Sequence, residues 1–122
     1  MATTTLTKRN FTNSDEVREF PNHSGSMKVI DLGEEAVGYV TYGVGWKWSS
    51  DMKPIVGTDS CQATHNFYVI SGRMAILSAD GKESVVGPGD VVFVAPGHDA
   101  WTVGDEPCVC LDWTAARGYA KH

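Results

Sequence analysis

The chain has 122 residues, enough for one well-packed domain and too few for two, and carries a formal net charge of −5 from 15 acidic and 10 basic side chains. Acids and bases are mixed along it, so there is no basic stripe for nucleic-acid phosphates or anionic lipid, and no run approaches the roughly 20 apolar residues of a bilayer span. The composition therefore points to a small-molecule ligand or none, with no nucleic acid and no membrane. The polar start "MATTTLTKRN", with no apolar run behind it, points to the cytoplasm.

In chain order, residues 1–26 read as an N-terminal arm. Within it "TNSDEVREF" predicts a short helix, with Asn13 or Ser14 as N-cap, Asp15 and Glu16 in the first turn, and Pro21 as the stop. From Met27 the pattern changes to period two, and residues 27–122 form the second unit. Short apolar runs broken by glycine, proline and aspartate give about eight strands: "MKVIDL", "AVGYVTYGV", "HNFYVISG", "RMAILSA", "ESVVG", "DVVFVA", "AWTVG" and "PCVCLDWT". Asp80-Gly81 predicts a two-residue hairpin turn, and "GPGD" at 87–90 a second tight turn. Many short strands without alternating helices mean an all-β sandwich or barrel. Exposed edges in so small a barrel are commonly covered by a second copy, so a homodimer is expected.

Two stretches carry a resemblance. In "VGPGDVVFVAPGHDAW" Gly89 opens a strand, and Pro96-Gly97 turn the chain toward His98. In "DSCQATHNFYVISGRM" Gly72 closes a strand seven residues after His65, with Cys61 and Asp59 upstream. These stretches resemble the two motifs of a small single-domain cupin, over roughly residues 27–113. The resemblance implies a double-stranded β-helix, or jelly-roll barrel, with a divalent metal bound inside it. It puts His65 at the family's glutamate position, Cys61 and Asp59 at its two first-motif histidines, and Ala100 at its last histidine, with His98 two residues earlier.

The residues themselves support a metal. On an unbroken strand Asp59, Cys61, His65 and Phe67 share one face, which the resemblance makes the inward one, and His98 has the parity of Ala100. Thiolate and imidazole favour zinc or iron, then nickel or copper, and Asp59 would add a harder oxygen. A cysteine in a β-core is also a common packing residue. Trp46 and Trp48 share a face and, with Phe67, Tyr39 and Phe93, predict an apolar substrate pocket in which Lys53 orients a carboxylate; core filling is the competing role of the tryptophans. Cys108 and Cys110 read as packing, splayed along their strand by nearly 7 Å at the usual rise per residue. The expected function is a metal-dependent cupin enzyme, of dioxygenase or isomerase type, acting on a small organic molecule. The alternative is a non-catalytic ligand-binding or sensor domain.

Overall fold

The computed structural model describes residues 5–33 and 35–113. Its nine strands are β1 (Glu16–Glu19), β2 (Gly25–Asp31), β3 (Ala36–Tyr42), β4 (His65–Ser71), β5 (Arg73–Leu77), β6 (Glu83–Val86), β7 (Val91–Val94), β8 (Asp99–Val103) and β9 (Cys108–Asp112). They form a six-stranded sheet in the order β1-β2-β3-β9-β4-β7 and a three-stranded sheet in the order β6-β5-β8, with every pairing antiparallel.

Alternation along the strands builds the core. β3 turns Ala36, Gly38, Val40 and Tyr42 inward, β4 turns His65, Phe67 and Val69, and β9 turns Cys108, Cys110 and Asp112. Met74 and Ile76 of β5 and Ala100 of β8 belong to the same buried cluster as Met27, Val40 and Val69 of the larger sheet. Among the described residues no helix is long and apolar enough to cross a membrane.

The N-terminal arm departs from its sequence signals. Phe11–Asn13 is a single 3₁₀ turn, and Glu16–Glu19 is a strand paired with β2. Glu16 and Arg18, two apart, share a strand face, and the Arg18 guanidinium, almost fully buried, bonds Glu16 at 2.9 Å. An N-cap and two acids are local preferences worth little against a free edge of β2. Among the described residues the one α-helix, α1 (Lys53–Val56), follows a π-turn at Trp48–Met52.

The predicted hairpin between β5 and β6 forms, but its loop has three residues. Ser78 and Lys82 are joined by an N–H to O bond of 2.8 Å, which leaves Ala79, Asp80 and Gly81 outside, with Gly81 at φ +86°. "GPGD" makes the expected tight turn, closed by the Asp90 N–H on the Gly87 carbonyl at 3.0 Å. All three cysteines are free and buried. Cys108 and Cys110 do not splay: their side chains lean together until the sulfurs are 3.8 Å apart.

Candidate metal centre

The strand expected to run through Asp59, Cys61 and His65 is broken, and the break sorts the candidates. Gly57, at φ +83°, ends α1, and the next residues bend until β4 begins at His65. Cys61 is held by the other loop. Its N–H donates to the His98 carbonyl at 2.8 Å, and its own carbonyl accepts from the Gly97 N–H at 2.7 Å. That pair of backbone bonds sets Cys61 and His98 side by side at the end of the barrel, next to His65. One ligand atom from each of Cys61, His65 and His98 lies within 4.8 Å of the others, and all three residues are buried. Asp59 does not join them: its side chain is fully in solvent, 3.9 Å from the ammonium of Lys53, itself 44% exposed. Lys53 is not among the residues that line the pocket beside the two histidines.

Both imidazoles are fixed by acceptors behind them. The Nδ1 of His65 donates to Asp112 Oδ2 at 2.7 Å, and the Nδ1 of His98 donates to the Ala95 carbonyl at 2.8 Å. Each leaves Nε2 as the atom to face an ion, the arrangement in which a carboxylate or carbonyl orients a metal-binding histidine. Cys61 Sγ is 3.7 Å from His65 Nε2. A tetrahedral ion with ordinary zinc–sulfur and zinc–nitrogen bonds needs these atoms about 3.6 Å apart. The donor set fits zinc, or iron, without rearrangement of this pair.

The same contacts hold the cluster's charges. Burial pushes the Cys61 thiol up, but His65 and His98 outweigh it and bring its pKa down to about 6. Burial pushes His65 down, but the Asp112 carboxylate and the Cys61 thiolate outweigh that and raise it to about 9. Asp112 is 1% exposed on the inward face of β9, and sequence reading gave it no role. Its signal was an acid spaced evenly with two cysteines on an otherwise apolar strand. Replacing Asp112 by asparagine is expected to weaken zinc binding about 10- to 100-fold by loosening the His65 ring, measured by competition with a chromogenic chelator.

Beside the two histidines lies a pocket of about 310 Å³ including its mouth, of which about 20 Å³ accepts a water-sized sphere. Tyr42, Trp46, Trp48, Phe67, Met74 and Ile76 line most of it. Trp46, Trp48 and Phe67 are thus among its lining residues. Tyr39 and Phe93 are not. Tyr39 lies on the outer face of β3, its ring tilted against Phe11 at 5.4 Å between centroids, and Tyr42 supplies the aromatic ring inside. Phe93 is 69% exposed because β7 turns Val94 inward and Val91 and Phe93 out.

Two antiparallel sheets packed over a buried cluster of nitrogen and sulfur donors that could hold a metal ion define a double-stranded β-helix. Residues 61–114 match the family model described as "Cupin domain", and the chain carries a cupin domain with the cupin fold. Similar solved structures include the polyketide cyclase RemF from Streptomyces resistomycificus, at 16% identity over 88% of this chain and 78% of that one, with a TM-score of 0.61. A cupin-2 domain from Rhodospirillum rubrum matches at 20% identity over 78% of this chain and 60% of that one, with a TM-score of 0.55. An uncharacterized conserved protein with a double-stranded β-helix domain from Klebsiella pneumoniae matches at 21% identity over 82% and 83%, with a TM-score of 0.54. At these identities the likeness is one of fold. No curated protein matches the chain.

Proposed function

We propose that this cupin is a metal-dependent enzyme acting on a small organic molecule, with Cys61, His65 and His98 holding one zinc or ferrous ion. The observation that carries the reading is the convergence of one sulfur and two imidazoles, both with Nδ1 already bonded to an acceptor and the sulfur at the spacing a tetrahedral ion needs. Three protein ligands leave one position for water or substrate, as catalytic and not structural sites do. The ion supplies Lewis acidity or, as iron, oxygen activation.

The chain's own residues do the rest. Asp112 holds the Nδ1 proton of His65 and fixes the ring, the Ala95 carbonyl does so for His98, and aromatic side chains line the pocket beside them. A reduced thiol suits the reducing cytoplasm. β7 ends its sheet with Val91 and Phe93 exposed, an edge that suits a second copy of the chain in a homodimer.

Titrating metal-free, untagged protein with zinc tests the reading. One ion per chain is expected. Between pH 6 and 9 Cys61 is a thiolate while His65 keeps its second proton, so each ion displaces about one proton from this pair. Affinity then rises about tenfold per pH unit across that window, and more steeply below it, where both groups are protonated. Calorimetry in buffers of different ionisation enthalpy counts the protons. Uptake of neither zinc nor iron overturns the metal reading; ligands that stabilise the fold without being consumed would favour a non-catalytic binding domain.

A further inference from the structure

A second set of metal-binding atoms lies in the core, away from the histidines. On a straight strand the side chains of Cys108 and Cys110 would stand nearly 7 Å apart, by the usual rise per residue. Their sulfurs instead converge to 3.8 Å, both buried on the inward face of β9. Filling space needs no such convergence. Two thiolates on one ion, with bonds of about 2.3 Å at an angle of about 110–120°, stand about 3.8–4.0 Å apart. The pair already has that spacing.

Charge and surroundings select the ion. The hydrogen bond between the sulfurs holds the Cys108 thiol below its ordinary range, and the same bond, with burial, holds Cys110 well above it. Once Cys108 ionises, the two sulfurs share a single proton, and a monovalent cation in its place leaves the charge of the buried pair unchanged. In register, Cys108 stands opposite Tyr42, and Cys110 lies between Val40 and Val69, positions that offer no carboxylate or imidazole. Zinc would be left two ligands short of its usual four. Copper(I), which soft sulfur donors select, suits such a pair better. The approach is acidic as well: Cys108 follows the exposed stretch 104–107, and the Glu106 carboxylate is close enough to act on its thiol. Such charges gather cations.

We propose that Cys108 and Cys110 form a second metal site, which takes one copper(I) ion between their sulfurs. Val109, its midpoint, is about 10 Å along β9 from Asp112, so the site is separate from the histidine centre and the proposal stands without it.

Oxygen-free titration of untagged, zinc-saturated protein with copper(I), in competition with a chromogenic chelator, tests it. One copper(I) per chain is expected with no zinc released, and X-ray absorption at the copper edge is expected to find sulfur neighbours and no imidazole nitrogen. Cys110→Ser is expected to weaken copper(I) binding more than about a hundredfold, as loss of a direct ligand does, and to leave zinc affinity within about threefold. No uptake, zinc released one for one, or imidazole around the copper overturns the proposal in the unaltered protein, whether or not the variant folds. Copper(I) held by sulfur alone supports it even in protein that takes up no zinc, a result that would sink the histidine reading and leave this one.

Discussion

Replacing Cys61 by alanine is expected to lower zinc affinity by more than about a hundredfold, because removing a direct ligand costs more than the 10- to 100-fold typical of the groups behind ligands. The same substitution strips His65 of the thiolate that, with Asp112, helps to raise its pKa. Cys61→Ser is expected to recover little of the loss, since a hydroxyl stays protonated where a thiol does not. The control lies two residues away. Asp59 faces solvent, so Asp59→Ala is expected to change zinc affinity by less than about twofold, the scale of a screened surface charge. Competition with a chelator measures all three variants. A loss in Asp59→Ala matching that in Cys61→Ala would mean that the loop closes on the ion in a way this geometry does not contain.

Gly72→Ala is expected to destabilise the fold by about 3–5 kcal/mol, near the upper end for single substitutions. Gly72 links β4 to β5 at φ +75°, and a Cβ there would stand 2.0 Å from the Pro107 carbonyl oxygen and 2.7 Å from Cys108 Cα. Both neighbours are backbone, so neither can swing aside. Relief requires moving the start of β9, whose inward residues Cys108, Cys110 and Asp112 are all nearly fully buried. Gly81→Ala separates the two contributions. It has a similar φ of +86° but nothing within 4 Å, so it carries only the left-handed backbone strain of about 1–2 kcal/mol. Urea unfolding of both variants reads the difference; equal losses would assign the effect to backbone handedness and not to the approach of β9.

Turn chemistry and alternation made most of this fold legible in the sequence. Gly89, Pro96-Gly97 and Gly72 punctuate the strands where the structure ends them, and β3, β4 and β9 alternate cleanly. Reading fails where one signal serves two outcomes. "VVFV" is apolar on both faces, so parity does not say that Phe93 faces water, and in β3 the choice between Tyr39 and Tyr42 was a choice of face that "AVGYVTY" leaves open. Sequence spacing brought Cys61 and His65 together by assuming one continuous strand. They meet instead across a bend, because His98 on a distant segment draws the Cys61 backbone to itself. That same pairing separates Cys61 from Asp59. Asp112 was readable as inward but not as the partner of His65, since strand neighbours 47 positions apart leave no mark in a single sequence.

The stitch between the two loops is made entirely of main-chain atoms: the N–H and carbonyl of Cys61 against the carbonyl of His98 and the N–H of Gly97. Side chains at 61 and 98 can therefore be exchanged while the scaffold that aims them persists. The barrel end acts as a socket whose chemistry is written in two replaceable inserts, so imidazole, carboxylate or thiol at either place would inherit a position already prepared for it.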